Sequence, residues 1–417
     1  MKYSKFSSFC CGIFLLLSFT DEPIETSMSS ILATAKTNAQ LTYNQQIPHL
    51  INGLNYKLPL LRKLEFKIGA DNFDLTGQQF GIAVSPNTFG QMKRQEAMKK
   101  IEINRVEAEN NVFIQDALFE RYQALVDARF AMELKIKEKA LETLLTQKNA
   151  TLKSMIQQGL DVKIKDIADT ENDRYAVQLA LLQLETNVAG NDEKLRQFMG
   201  SSKDIFIVFK NVVRVNDMEK MVKDIKNTQL LQTPDMLLAK AEKDAKRASL
   251  DLENASNKEI LSSIQVVDAP KKGEPFNNFG VRFTLSVPLV GNSRLKRNEL
   301  LIDLKKAENK ENLLSINNQN AIKYQIVKIE NLIKKYRIYA DKVENSLIKN
   351  LLANARLTAE MNATELLDLK ITQQKTEIEL DKIEYNIMSE YVILLNNTSL
   401  LGAIPLKNYL SIGLEVF

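Results

Sequence analysis

Two stretches of this 417-residue chain contain neither glycine nor proline: Gln91 to Gln158 and Asn292 to Leu401. With 14 Gly and 9 Pro in the whole chain, evenly scattered breakers would fall about every 18 residues. Globular helices average roughly 11 to 12 residues. Gaps of this size therefore predict an elongated, mainly α-helical protein, and a helix from about residue 88 to 157 would be ~100 Å long. Both gaps carry a seam. Ile322, Ile326, Ile329, Ile333, Tyr336, Ala340, Val343 and Leu347 recur in steps of four and three, as do Leu118, Tyr122, Leu125, Met132 and Ile136 with Arg129 interrupting. That spacing holds one stripe toward a partner helix and predicts antiparallel coiled-coil packing. The rhythm fails near Gly159 and again at Glu360 to Asn362, then resumes through about Met199 and Asn397. Interruptions this short suit the tips of helical hairpins.

Strand patterns precede each long helix. Leu64, Phe66, Ile68, Phe80, Ile82 and Val84 alternate with Glu65, Lys67, Gln79, Gly81 and Ser85. Later, Phe279, Val281, Phe283, Leu285 and Val287 alternate with Gly280, Arg282, Thr284 and Ser286, and Ile260, Ile264 and Val266 form a looser partner across a turn at Asp268 to Asn278. The two hairpins stop at Pro86 and Pro288, where a missing N–H ends the ladder. Those prolines are 202 residues apart, and Asp169 of "DIAD" and Asp368 of "ELLD" are 199 apart. The chain is thus a repeat of hairpin, long helix, tip and returning helix. Four strands cannot close a membrane barrel, whose smallest single-chain form has about eight; three copies would supply twelve.

Composition narrows the chemistry. The chain has one histidine, His49, no tryptophan, and two cysteines, Cys10 and Cys11. A Ser-His-Asp or Cys-His system would have to be built on His49, and zinc sites with His or Cys ligands have no supply, so an enzyme is not expected and no cofactor or metal is called for. His49 follows Pro48 with no acidic or cysteine neighbour and reads as a surface or collar residue. Lys and Arg total 56 against 52 Asp and Glu, with signs interspersed rather than blocked, so nucleic acid is not an expected partner. Lys2 and Lys5 precede an apolar run from Phe9 to Leu17 that is far short of the roughly 20 residues that span a bilayer. With small residues at Ser18 and Thr20, it reads as a secretory signal peptide ending before Asp21.

Several strings in order then resemble one family: "LPLL" before the first strand, "VSP" and "LSVPL" at strand exits, "GNDEKLRQFMG" closing the first repeat, "TPDMLLAKAEKDAKRASLDLENA" opening the second, and "ATELLDLKITQQKTEIELDKIEYN" on the last helix. The chain resembles the TolC-like outer-membrane efflux proteins over nearly its whole length. The resemblance implies a homotrimer with a shared twelve-stranded barrel in outer-membrane lipid, long coiled helices reaching into the periplasm, and an equatorial collar. It implies a passive exit duct for drugs, metal ions or proteins, working with a periplasmic adaptor and an inner-membrane RND or ABC transporter. The segments under this reading are 1–20 signal peptide, 21–58 N-terminal helical and collar segment, 59–88 first β-hairpin, 89–200 first helical hairpin, 201–258 collar segment and helix, 259–289 second β-hairpin, 290–400 second helical hairpin and 401–417 C-terminal collar segment. The C-terminal "YLSIGLEVF" alternates like a strand and receives no role.

The resemblance also assigns sites. An acidic pair after the second tip lines the family's periplasmic mouth, and Glu365 and Asp368 occupy the matching positions in "TELLD". Six carboxylates around a threefold pore would favour cations; equally, Glu365 and Asp368 suit a helix start. Gly159 and Leu160 match an adaptor-docking tip, with Gly159 alternatively a plain helix C-cap. The family's second-tip glycine is absent, leaving Asn362 as the residue there most tolerant of a left-handed conformation. A single-hairpin periplasmic adaptor and a secreted coiled-coil scaffold are the competing readings; two hairpins some 200 residues apart argue against the first, and a missing pore would mark the second.

Overall fold

A computed structural model describes residues 24–37, 39–54, 57–70, 78–87, 89–227, 232–256, 261–268, 279–285, 292–354, 358 and 360–417. The expected signal peptide, the loop from Asp71 to Thr76 and the start of the third strand near Ile260 lie outside the described residues.

The first long helix, α3 (Phe89–Gln157), follows β1 (Ile24–Ser27), α1 (Met28–Ala33), α2 (Ala39–Gly53), β2 (Leu61–Ala70) and β3 (Gln78–Pro86). At 69 residues it is ~100 Å long. It returns as α4 (Ile164–Met199), then β4 (Ile205–Val208), α5 (Val215–Asn227) and α6 (Pro234–Ser256). The second repeat holds β5 (Leu261–Asp268), β6 (Phe279–Leu285), α7 (Asn292–Glu344), α8 (Leu347–Ala353) and α9 (Ala363–Asn397). Toward the sheet, α3 packs on α2 and α6, and α6 on α7; toward the tips, α3 packs on α4 and α9, and α9 on α7. Each half is therefore a layer of four helices, with α2 and α7 or α4 and α7 at its edges.

The two layers meet at a collar core. Ile31, Leu32, Leu118, Tyr122, Leu125, Met218, Ile329, Ile387, Tyr391 and Leu395 are sealed from solvent there. Each aliphatic side chain buried this way contributes roughly 1.5 to 3 kcal/mol. The C-terminal segment belongs to this core: Tyr409 and Leu410 are buried, and Val213 donates its N–H to the Leu410 carbonyl at 3.0 Å. Tyr122 ties it down, donating its hydroxyl to the Lys407 carbonyl at 2.7 Å and accepting from the Tyr409 N–H at 3.0 Å. Burial pushes the Tyr122 phenol well above the usual tyrosine range, so it remains a donor. Arg121 fixes the N-terminal segment by donating to the Thr34 hydroxyl at 2.8 Å while stacking over Phe198.

The seams differ from the expected ones at their lower ends. Ile322, Ile326, Ile329 and Ile333 are buried, but Leu347 is 79% exposed, as are Met132 and Ile136 at 51% and 66%. On α3 the buried stripe instead runs Leu118, Tyr122, Val126, Phe130, Leu134 and Glu138, all four apart. Each four-residue step carries the stripe about 40° around a helix of 3.6 residues per turn. It moves because α3 exchanges the collar for α4 and α9, with which Leu134, Leu141 and Leu145 form a second cluster. On α7 the seam ends because the helix itself ends at Glu344.

A four-stranded antiparallel sheet in the order β2-β3-β5-β6 joins the two hairpins through β3 and β5. Register places Phe66, Ile82, Val266 and Val281 in one row and Leu64, Val84, Ile264 and Phe283 in the next. This face is turned outward: Phe66, Ile68, Phe283 and Leu285 are exposed by 74%, 73%, 65% and 63%. The opposite face carries Glu65, Ala83, Gln265 and Arg282 in one row and Lys67, Gly81, Val267 and Gly280 in another.

Candidate functional site

The first tip is built by a glycine. Gly159 sits at φ +74°, a left-handed conformation that a Cβ would strain. There the Leu160 N–H donates to the Met155 carbonyl at 2.9 Å and the Gly159 N–H to the Ile156 carbonyl at 3.0 Å, the paired closure of a Schellman motif. Gly159 therefore does terminate α3, and the same geometry turns Leu160 outward. Ile156, Leu160 and Ile164 are exposed by 49%, 51% and 84%, an apolar cap at the end of the α3/α4 hairpin.

The second tip is built differently. In α7 the helix stops at Glu344 without Gly or Pro. The Asn345 side chain donates to Asp341 Oδ1 at 2.6 Å, and Ser346 caps α8 by accepting from the Ile348 N–H at 3.1 Å. Ser346 thereby offers the backbone a partner outside the continuing helix, the local competition by which such residues interrupt helices. Asn362 is not left-handed as expected: it is extended, with φ −74° and ψ 158°. It serves as N-cap of α9, its side chain accepting from the Glu365 N–H at 2.8 Å while its own N–H donates to Glu365 Oε2 at 3.3 Å. This reciprocal pair is a capping box. At Asn362 the helix thus restarts from an extended residue, with no positive φ at that position.

Glu365 and Asp368 are both exposed near the start of α9. Glu365 is engaged in the capping box, and Asp368 accepts an ion pair from Lys148 Nζ of α3 at 2.6 Å. The acidic pair is thus not two free carboxylates: one supports the helix start, the other ties α9 to α3. Lys148 was not legible as a partner, because the two residues belong to different repeats and no local spacing connects them. Other cross-links follow along the same pair of helices, Lys137 to Asp381 at 2.6 Å and Arg129 to Glu384 at 3.2 Å, while Lys375 of α9 reaches Asp173 of α4 at 2.6 Å. Burial pushes the Glu384 carboxyl up despite Arg129 beside it.

Both layers of the molecule end in unpaired edges. In the sheet, β2 and β6 each pair on one side only among the described residues. In the tip-side helix layer, α4 exposes Tyr175, Leu179 and Leu182 and α7 exposes Tyr324, Val327 and Ile338, each more than half accessible. Among the described residues there is no group of His, Cys, Asp and Glu arranged to hold a metal ion, and no helix is long and apolar enough to cross a membrane. His49 is exposed on α2.

No family model matches the chain, and no curated protein matches it. Solved structures do. The CmeC outer membrane channel of Campylobacter jejuni aligns over 89% of this chain and 85% of its own, with TM-score 0.62 and 12% identity. The outer membrane protein VceC of Vibrio cholerae aligns over 90% and 95%, with TM-score 0.60 and 11% identity. The open state of the MtrE outer membrane channel of Neisseria gonorrhoeae aligns over 90% and 89%, with TM-score 0.59 and 12% identity. The alignments run over nearly the whole of each chain, and this chain has the fold of these outer-membrane channels, the TolC-like fold.

Proposed function

We propose that this chain is one third of an outer-membrane exit duct that reaches into the periplasm and conducts substrates passively outward. The observation that carries this reading is the inverted sheet: strands of 7 to 10 residues expose their apolar rows and leave both edges unpaired. Tilted transmembrane strands need about 9 to 11 residues, and a lipid-facing band with a polar opposite face is the pattern of a membrane barrel. In water such a face and two open edges would be a liability; in lipid, closed by two further copies, they are satisfied. The free edges of α4 and α7 close by the same threefold operation, giving twelve strands above a ring of helices.

The duct is homotrimeric, holds no cofactor and has no catalytic role or nucleic-acid partner. Its periplasmic end receives substrate from an adaptor protein and an inner-membrane RND or ABC transporter, in tripartite efflux or type I secretion. Leu160, presented by Gly159 and flanked by Ile156 and Ile164, is the apolar cap on which the adaptor docks. Glu365 and Asp368 form the acidic ring at the mouth.

Two measurements test this. Purified protein is expected to run as a trimer in mild detergent, to fractionate with outer membranes and to conduct in planar bilayers; a soluble periplasmic monomer would refute the duct. Replacing Glu365 and Asp368 together by Ala is expected to widen the pore or lower its cation preference, since it removes the capping box and the Lys148 tie at once. Unchanged conductance and selectivity would remove these residues from the gate.

A further inference from the structure

We propose that the barrel segment of the duct is basic inside and favours anionic solutes, an inference that rests on the duct reading above. The sheet's polar face carries Lys63, Glu65, Lys67 and Arg282. Glu65 is ion-paired with Lys63 and lies 3.9 Å from Lys67, so one carboxylate answers two ammonium groups. Arg282 is exposed on the far edge strand and has no ion pair among the described residues. Asp268 falls on the other face, in the row of Phe80, and is buried. Among the described residues that pair in the ladder, the polar face thus presents three cations and one anion per chain.

Their placement matters as much as their number. Between the edges, the same face is lined by Gly81, Ala83, Ser85, Gln265 and Val267, which are small or uncharged. All four charges sit on β2 and β6, the two edges that adjoin when copies close the ring. Each seam between copies therefore gathers Lys63, Glu65 and Lys67 of one chain beside Arg282 of the next. Alternate residues on a strand are ~7 Å apart, so the stripe spans ~14 Å of the lumen. A twelve-stranded barrel is wider than the eight-stranded one that side chains fill, and at physiological salt charges act over ~8 Å. Three basic stripes on a low-dielectric wall raise the local concentration of carboxylate, phosphate or sulfate groups. At the opposite end of the duct, Asp368 is already answered by Lys148, so the mouth opposes this preference with less charge than its sequence suggests.

The test uses the full trimer in planar bilayers under a tenfold KCl gradient, read as the chloride-to-potassium permeability ratio. The Glu365→Gln, Asp368→Asn channel isolates the barrel. It is expected to prefer chloride by at least about twofold. Lys63→Gln, Lys67→Gln and Arg282→Gln added together should bring the ratio to one or below. Glu65→Gln alone should raise it, and this single change guards against a triple variant that fails to assemble. A ratio at or below one in the Glu365→Gln, Asp368→Asn channel, or a ratio indifferent to Glu65→Gln, overturns the inference while leaving the duct intact. Absence of any conductance overturns the duct reading and the inference with it.

Discussion

The collar and the sheet are built from the same kinds of residue with opposite polarity. In the collar, Tyr122 and Tyr391 are 0% and 1% exposed, whereas Phe66 and Ile68 of the sheet stand at 74% and 73%. The collar finishes its packing within one chain, drawing on the N-terminal segment, α3, α5, α7, α9 and the C-terminal segment. The sheet has only hairpin partners and finishes nothing by itself. Under the duct proposed above, lipid and neighbouring copies supply what is missing, because alternation gives the sheet one apolar face and the collar offers that face no cover.

The contrast can be broken at several points. Leu125→Ala in the collar should cost about 2 to 5 kcal/mol, seen as a lower unfolding midpoint in soluble and membrane fractions alike. Phe66→Arg should cost about 2 to 4 kcal/mol in the bilayer and leave the collar untouched; the expected result is normal helix content by circular dichroism with loss of membrane insertion. If Phe66→Arg inserted normally, the outward face would not be lipid-facing. Tyr122→Phe strands the Lys407 carbonyl and the Tyr409 N–H, a loss of about 1 to 3 kcal/mol, detectable as faster hydrogen exchange in residues 407–411. The smallest effect is on pH dependence. The folded Glu384 carboxyl binds its proton more tightly than its ordinary value of 4.5, so the native state carries the extra proton and stability declines as pH rises from there through the raised value. Glu384→Gln should flatten that part of the melting-temperature profile, whatever it does to the overall level by unpairing Arg129.

Much of the fold was legible because long-range architecture here is written in local signals. Absence of Gly and Pro sets helix length, and Pro86 stands at the end of β3. Gly159 marks the first turnaround through its positive φ. The interruption at Asn345 and Ser346 was missed because neither residue is a strong breaker alone; it takes two side chains bonding to nearby groups to stop the helix. Met132, Ile136 and Leu347 were misplaced for a different reason. A heptad count assumes that a helix keeps one partner, and α3 changes partners while α7 ends.

The candidate site was less legible than the fold. Glu365 and Asp368 were found by their position after the second tip, but Lys148 lies in the other repeat, and only packing of α3 on α9 brings it to 2.6 Å from Asp368. Glu65, Lys67 and Arg282 were visible as the polar half of two alternations, without any sign that they share one face of a single sheet. Sequence by itself determined what is local: helix length, strand polarity, the duplicated unit and the scarcity of histidine and cysteine. Tertiary structure decided what depends on distance between segments: which carboxylate is paired, which helix faces are left open and which strands of the sheet carry its charges. Hydrogen-bonding periodicity acts over a few residues, whereas electrostatic pairing depends on which segments the fold brings within a few ångströms.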